Sequence, residues 1–375
     1  MMKARRLTAA LLAAALALGA GEAYAAGSAP ILLNYKNLGL SEKAKVSAGV
    51  TWVPLKALAA DMGYSVVWNP SAKMVVLTRP DRQITLTAGS QEAKVNGVAV
   101  KLAQPFSNDA GVLSVPLVGG AVLLGGKVWR DPASGNLNIL DAPRYVTAAA
   151  SGTVYWVSQQ SGEVYVSSGG EPKLAGKLPV KASSYLHGLE IQRLSGTANL
   201  LTLSDNHYAM FTNFSNVYQA VIQGGVITLQ KDYHLSMSAY DLKLAVPSTQ
   251  TFLRDGESVQ YLGKDGAPGK AYDILALTGS TGQFTVEYAA PDALLVRLVD
   301  NAHLYVIDPS TDKAVNLTKE LTEPEDWRDW EHSDGRDVYV LQRMLTLKKR
   351  EGDVLTFTYG SFTNDTVWKV TYKLK

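Results

Sequence analysis

The fold of the N-terminal region is decided by Thr51-Trp52-Val53-Pro54-Leu55, because its last three residues recur 62 positions later as Val115-Pro116-Leu117. Further matched pairs keep the same offset: Asn34 and Asn96, Gly63 and Gly125, Val75 and Leu137, Leu77 and Ile139. Trp68 and Trp129 follow at an offset of 61, which a one-residue gap explains. A fixed period with this many matches predicts two copies of one structural unit over residues 31–140.

The first copy is predicted to place a short helix between strands. Pro54 suits the first helical position, where its missing N–H would be unpaired in any case. An apolar face follows at helical spacing, and Gly63 suits the left-handed residue that ends a helix. Strands are expected on both sides of this helix, at 31–33, 65–68 and 74–77.

The second copy is expected to have a short or irregular helix. Gly119 and Gly120 lie inside it, and each costs about 1 kcal/mol relative to alanine. Between the two helices, residues 83–87 and 93–101 alternate as strands, with Asn96-Gly97 as a tight hairpin turn.

This pattern resembles the copper amine oxidase-like N-terminal domain, the stalk domain of bacterial envelope proteins. The resemblance spans residues 30–142 and is carried by Thr51-Trp52-Val53-Pro54-Leu55, Gly63, Val66-Val67-Trp68 and Val95-Asn96-Gly97. It implies an α+β accessory module without catalytic chemistry. The sequence agrees, since residues 1–186 contain no histidine for a copper site and the Thr-x-x-Asn-Tyr-(Asp/Glu) cofactor motif is missing.

Residues 1–25 are predicted to be a secretory signal peptide. Lys3, Arg5 and Arg6 form its basic end, 14 uncharged residues follow at 7–20, and Ala23-Tyr24-Ala25 supplies the cleavage signature. Because a membrane span needs about 20 apolar residues, we expect cleavage after Ala25 and no membrane insertion afterwards. The mature bacterial protein is then secreted or associated with the cell wall.

Composition narrows the classes of partner. The signal peptide holds three of the 36 basic residues and one of the 34 acidic residues, so the mature chain has 33 of each. A neutral chain gives no electrostatic reason to expect a nucleic-acid partner. The absence of cysteine excludes disulfides, thiolate metal sites and a lipid-anchored N-terminus.

The region after Asp141-Ala142-Pro143 changes to short β-rich runs broken by turn residues. Strand–turn–strand units begin near residues 153, 200, 249, 294 and 337, and a helix is expected only at 319–321. Blades of β-propellers repeat every 40 to 50 residues or so. The spacing therefore predicts an all-β domain over residues 144–375, a five-bladed β-propeller, with β-sandwiches as the alternative.

One unit also resembles a blade of secreted bacterial β-propellers. The resemblance is carried by Val154-Tyr155-Trp156-Val157, Val164-Tyr165-Val166 and Gly169-Gly170-Glu171-Pro172. The other units diverge from it.

No catalytic or metal motif stands out. The five histidines form no local metal-binding spacing, so neither a metal nor a cofactor is predicted. Nucleophile elbows, P-loops and dinucleotide fingerprints are absent from the sequence. The stretch from Asp308 to Asp312 is expected to be a plain turn because it lacks the ligand spacing of a calcium loop.

The strongest lead is the segment from Glu323 to His332, in which two tryptophans stand among five acids. Aromatic faces bordered by carboxylates bind sugar rings, so we predict a ligand-binding site formed by Trp327, Trp330, Asp326, Asp329, Glu331 and His332. The alternative is a short helix whose tryptophans cover the core. Catalysis by a pair of these carboxylates is a third possibility.

These observations predict an exported, noncatalytic binding or scaffold protein of the bacterial cell envelope. Its partner would be cell-wall glycan or an envelope protein. Two alternatives stay open at this point. One is a propeller hydrolase or lyase that acts on polysaccharide, and the other is a structural spacer without a ligand.

Overall fold

The computed structural model describes residues 30–38, 44–109, 111–142, 145–180, 186–208, 213–236, 244–332, 335–364 and 366–375. The predicted signal peptide lies outside the described residues. The chain divides into two compact units, residues 1–176 and 177–375. Strands greatly outnumber helices, and within the described residues no sheet closes on itself.

The first unit contains the two copies of the repeat. The strands of the first copy are β1 (Ile31–Leu33), β2 (Lys36–Asn37), β3 (Lys45–Ser47), β4 (Val50–Pro54), β5 (Ser65–Asn69) and β6 (Met74–Arg79). After β7 (Arg82–Thr87), the strands of the second copy are β8 (Glu92–Val95), β9 (Val98–Lys101), β10 (Ser107–Asp109), β11 (Val112–Pro116), β12 (Lys127–Arg130) and β13 (Leu137–Leu140). These strands form three sheets, ordered β12-β13-β1-β2, β10-β11-β4-β3 and β5-β6-β7-β8-β9.

The helices confirm the period of the repeat. Helix α1 (Leu55–Asp61) and helix α2 (Leu117–Leu123) have the same length, and both their ends are 62 residues apart. The two copies meet where β4 and β11 pair antiparallel, with Val53 opposite Val115. One apolar core takes side chains from both copies.

The second helix is short, as expected, but with seven residues α2 is no shorter than α1. A Cβ atom at Gly120 would lie 2.6 Å from Val115 Cγ2 and 3.5 Å from a methyl of Leu58. Glycine therefore lets α2 approach β11 and α1 closely, and this packing offsets the low helix propensity of glycine.

The first unit also includes a four-stranded sheet made of β14 (Tyr145–Ala150), β15 (Thr153–Ser158), β16 (Glu163–Ser167) and β17 (Lys173–Lys177). Trp156 Nε1 donates a buried hydrogen bond of 2.8 Å to the carbonyl oxygen of Gly63. Arg79 donates to Asp141 at 2.7 Å and to the carbonyl oxygen of Met62 at 3.0 Å. Within the first unit, the end of α1 is thus tied to β15 and to Asp141, which follows β13 in the linker to β14.

The second unit consists of four sheets, each a meander of consecutive antiparallel strands. The first two are β18 (Leu186–Ser195), β19 (Ala198–Tyr208), β20 (Asn213–Gln223), β21 (Val226–Leu235), and β22 (Phe252–Arg254), β23 (Ser258–Leu262), β24 (Pro268–Asp273). The other two are β25 (Phe284–Ala290), β26 (Ala293–Leu298), β27 (Leu304–Asp308), β28 (Lys313–Asn316), and β29 (Thr346–Glu351), β30 (Val354–Gly360), β31 (Val367–Lys373).

Each predicted strand–turn–strand unit corresponds to one sheet. The helix expected at 319–321 is present, but the prediction of no further helix is wrong. The second unit contains α3 (Ile274–Thr278), α4 (Leu317–Leu321), α5 (Pro324–Glu331) and α6 (Val338–Arg343). Three of these helices have an Asp or Asn at the N-cap, and α6 occupies residues that were predicted to be a strand. At Asp337 the carboxylate accepts the N–H of Tyr339 at 2.7 Å, so capping overrides the strand propensity of Val338 to Leu341.

The turn prediction at Asp308 is confirmed. Its carboxylate accepts hydrogen bonds from Ser310 and Thr311, which is the arrangement of a side-chain-stabilised turn. These bonds hold the pKa of Asp308 down at about 2.

Candidate functional site

The predicted site segment folds as α5, and its side chains divide into buried and exposed groups. Trp330 is fully buried and meets Tyr359 and Phe362 edge-on, with ring centroids 5.9 and 5.8 Å away. Asp326 is also buried, and its Oδ1 accepts hydrogen bonds from Ser361 Oγ at 2.9 Å and from the N–H of Phe362 at 2.8 Å. Trp330 and Asp326 therefore support the fold at this point and offer no surface to a ligand.

The remaining predicted residues lie nearer the solvent. Trp327 is half-buried, and the ammonium of Lys319 lies 4.5 Å from its ring centroid. Lys319 also pairs with Glu331 at 2.6 Å, and this bond lowers the pKa of Glu331. A ring that already carries a cation on its face is a poorer platform for a sugar.

Asp329 and His332 are exposed. The structure therefore does not bring the six predicted residues together on one accessible surface. The helix that was weighed as the alternative is present, and one of its two tryptophans is in the core.

Helix α5 instead supports the wall of a pocket of about 300 Å³. The pocket lies at one end of the last sheet and is lined by Gln342, Arg343, Met344, Thr346, Lys348, Thr358, Tyr359, Gly360, Ser361, Asn364, Thr366 and Val367. Ser361 is the residue that Asp326 holds, and Tyr359 packs against Trp330. The segment from Glu323 to His332 thus lies behind the pocket, and it positions the loop that carries Ser361.

The charge of the pocket is positive. Among the described residues that line it are Arg343 and Lys348 but no carboxylate. Within the described part of the chain neither cation forms an ion pair, and Arg343 stacks over Tyr339 with its guanidinium carbon 3.6 Å from the ring centroid. Two unneutralised cations beside hydroxyl and amide groups suit a ligand that carries both negative charge and hydroxyl groups.

Two local features of the backbone position Lys348 and Arg343 beside the pocket. The register of β29 and β30 shifts between Leu347 and Lys349, so Lys348 is the extra residue of a β-bulge. Bulges redirect a side chain and are common beside functional sites. At Gly360 a Cβ atom would lie 3.1 Å from Arg343 Cγ, so glycine allows β30 to approach Arg343 closely.

Sequence reasoning missed this pocket because its residues come from a helix, a bulge and a hairpin. One usable signal was the run Thr356-Phe357-Thr358-Tyr359-Gly360-Ser361-Phe362-Thr363-Asn364, in which small polar residues alternate with aromatic residues. No part of that run was considered as a site.

The histidines are distributed as follows. His303 is buried, His332 is exposed, and the side chain of His187 is outside the described residues. His207 pairs with the buried Asp205 at 2.8 Å, and His234 contacts Asn216 at 2.9 Å. Among the described residues no group of three or more histidine, aspartate or glutamate side chains is arranged to hold a metal ion.

Residues 32–139 match the family model of the copper amine oxidase N-terminal domain. The match covers both copies of the repeat and confirms the resemblance for that part of the chain. No curated protein matches the chain. Within the described residues, no helix is long and apolar enough to cross a membrane.

Several solved structures match the chain weakly. They include apo AztD from Citrobacter koseri (TM-score 0.22, 10% identity, 68% of this chain and 85% of that chain). A chain of a nidogen/laminin complex scores 0.21, with 10% identity over 67% of this chain and 77% of that chain. A luciferin-regenerating enzyme scores 0.23, with 8% identity over 80% and 83%. Scores this low carry no argument about fold or activity.

Proposed function

We propose that the protein is exported to the bacterial cell envelope and binds an anionic wall glycan there without catalysing a reaction. The observation that carries this proposal is the pocket beside α5, whose described lining has two cations, several hydroxyl groups and no carboxylate. Wall glycans combine hydroxyl groups with carboxylate or phosphate groups, so they match this lining. An envelope protein with an acidic, glycosylated surface is the second kind of partner that would fit.

The N-terminal module would contact wall material or position the binding domain. The family match to residues 32–139 supports this role, since the resemblance implies an accessory module. Export rests on the sequence of residues 1–25. N-terminal sequencing of the protein recovered outside the cytoplasm is expected to begin at Ala26, and an unprocessed Met1 would contradict the proposal of a cleaved signal.

For the fold after residue 144 we propose a five-bladed β-propeller. Its support is the presence of five successive antiparallel meanders, β14–β17, β18–β21, β22–β24, β25–β28 and β29–β31. An experimental structure of the mature chain tests this directly. Five blades around one axis are expected, whereas two stacked sandwiches would contradict the proposal.

Retention on purified polymers tests the function. Mature protein is incubated with insoluble peptidoglycan and with immobilised anionic and neutral polysaccharides, and the bound fraction is measured. We expect retention on the anionic wall polymers that weakens as salt rises, because exposed charges are screened. Equal retention on neutral and anionic polymers, or no retention on any, would remove the basis of the proposal.

The same samples distinguish binding from hydrolysis or cleavage by a lyase. A glycan-cleaving enzyme would release new reducing ends and would lose that activity in D329A and E331A, which change exposed residues of α5. The binding proposal predicts no release by the wild-type protein. Asp326 is unsuitable for this test, because its removal breaks the bonds to Ser361 and Phe362.

A further inference from the structure

Within the residues that the structure describes, Arg254 is a buried cation without a carboxylate partner. The residue is 5% exposed, and its Nε is buried without a hydrogen-bond partner among the described residues. Its guanidinium carbon lies 3.6 Å from the ring centroid of Tyr233 and 5.0 Å from that of Phe284. Burial lowers the pKa of Arg254, and the nearby Asp255 opposes this shift without cancelling it. Buried charges in proteins are normally paired, so this one calls for a specific explanation.

Among the described residues, no carboxylate forms an ion pair with Arg254. The carboxylate of Asp255 is the nearest in sequence, but its Oδ2 bonds Lys231 Nζ at 2.6 Å and Ser258 Oγ at 3.0 Å. Lys231 and Asp255 thus neutralise each other. In the described part of the chain, the positive charge of Arg254 is therefore not neutralised by an ion pair.

Two more polar side chains without a partner share the sheet face that Arg254 covers. Asn206 and Ser215 are directly opposite each other on β19 and β20, and both are at least nine-tenths buried. Within the described residues Asn206 Oδ1 and Ser215 Oγ have no hydrogen-bond partner.

The strand register places these groups on one side of the sheet. Tyr233 is opposite Val217, and Leu235 is opposite Ser215, so Tyr233 is the diagonal neighbour of Ser215 at about 7–8 Å. Gln219 has the same parity as Ser215 along β20, and its Oε1 accepts the backbone N–H of Arg254 at 3.1 Å. A guanidinium, a hydroxyl and an amide oxygen therefore lie along one buried face.

These three groups have complementary hydrogen-bonding roles. A guanidinium binds a carboxylate through two parallel N–H donors. A hydroxyl can donate or accept, and the amide oxygen of Asn206 accepts only, so it needs a donor that the described residues do not supply. Buried water could satisfy Ser215 and Asn206, but water would leave the charge of Arg254 uncompensated.

We propose that Arg254, Ser215 and Asn206 form a binding site for a small carboxylate that bears a hydroxyl group. Arg254 takes the carboxylate, and Ser215 and Asn206 take the hydroxyl group. The site is separate from the pocket beside α5 and does not depend on wall binding.

Thermal unfolding of the mature chain tests the site with chosen probes. Sodium lactate, sodium acetate and sodium chloride are compared at equal ionic strength, with lactate as the hydroxycarboxylate and acetate as the carboxylate alone. Lactate is expected to raise the melting temperature by about 5 °C at saturating concentration. Acetate should give a smaller rise, because it lacks the hydroxyl group.

Single substitutions test which residues bind lactate. In Arg254→Met the lactate effect should disappear, while in Ser215→Ala it should fall to the size of the acetate effect. Arg193→Met changes an exposed arginine of β18 and is expected to keep the full effect. Loss of the effect in Arg193→Met as well would overturn the assignment, as would an undiminished effect in Arg254→Met.

A direct binding measurement covers the case in which Arg254→Met does not fold. Titration of lactate into the wild-type protein is followed by calorimetry. Saturable binding of one equivalent supports the proposal, and the absence of saturable binding at millimolar lactate overturns it.

Discussion

Two buried tryptophans differ in one hydrogen bond. Trp156 Nε1 donates to the carbonyl oxygen of Gly63, whereas Trp330 Nε1 has no acceptor among the described residues. Replacing each by phenylalanine removes the same N–H group. The cost should therefore differ by the value of a buried hydrogen bond.

We predict that W156F lowers the free energy of unfolding by about 1–2 kcal/mol more than W330F does. Urea unfolding followed by fluorescence measures both values, and W129F is the control because Trp129 is 39% exposed. Equal costs for W156F and W330F would mean that the bond to Gly63 contributes nothing net.

His303 makes stability depend on pH. Burial lowers the pKa of His303 from 6.5 to about 4, and Asn316 contacts its Nδ1 at 3.1 Å. Between these two values the unfolded chain binds more protons than the folded chain. Stability contributed by the neutral ring is therefore present above pH 6.5 and is lost as the pH falls towards 4.

We expect this loss to reach about 3 kcal/mol between pH 7 and pH 4. Urea unfolding at several pH values should show a steeper decline in wild type than in H303L, whatever the stability of H303L at neutral pH. H332L removes an exposed histidine and should keep the wild-type slope. Parallel slopes for wild type and H303L would show that His303 does not titrate in this way.

At the scale of elements, two adjacent glycines of α2 have different roles. A Cβ atom at Gly119 would have Pro116 Cβ as its nearest neighbour, 4.0 Å away, whereas one at Gly120 would lie 2.6 Å from Val115 Cγ2. We predict that G119A stabilises the protein by about 1 kcal/mol through helix propensity. By contrast, G120A should destabilise it, because the added methyl group overlaps Val115.

Thermal unfolding of the two single variants measures whether each one raises or lowers the stability. If G119A and G120A shift the melting temperature in the same direction by similar amounts, the prediction of opposite effects at the two glycines is wrong.

Element predictions from the sequence succeeded where local signals and packing agree. The repeat fixed α1, and the left-handed Gly63 ends that helix with a φ of 75°. Predictions failed where a single capping residue starts a short helix, as Asp337 does for α6. Hydrophobic periodicity does not detect such a cap. They also failed at Gly120, where the deciding contacts are with Val115 of the preceding strand and Leu58 of α1.

At the scale of the molecule, the boundary between the two compact units does not coincide with the change in sequence pattern. Short β-rich runs begin after residue 143, but residues 145–176 belong to the first compact unit. Trp156 and Arg79 join the sheet β14–β17 and the linker to the repeat. The sequence could not reveal this, because the acceptor is the backbone carbonyl of Gly63.

We predict that a fragment of residues 30–176 is more stable than one of residues 30–142. The shorter fragment exposes the carbonyl oxygen of Gly63 and loses the donor at Trp156. Circular dichroism melts of the two fragments measure the difference. A fragment 30–142 that melts as high as 30–176 would show that the sheet contributes no stability to the repeat.

The candidate site was predictable only in part. The predicted segment lies next to the proposed pocket, since Asp326 bonds Ser361 and Trp330 packs against Tyr359. It assigned the wrong groups as ligand contacts, because helical geometry turns Trp330 and Asp326 inwards while Arg343 and Lys348 come from other elements.

The most direct measurement is the affinity of wild type and of the double variant R343M/K348M for purified anionic wall glycan. K349M is the matched control, because Lys349 is paired with Glu351 at 2.7 Å and does not line the pocket. We predict that the double variant, with a wild-type melting temperature, raises the dissociation constant at least about tenfold, or 1.4 kcal/mol. K349M should bind like wild type. A folded double variant that binds the glycan as tightly as wild type would contradict the assignment of this pocket.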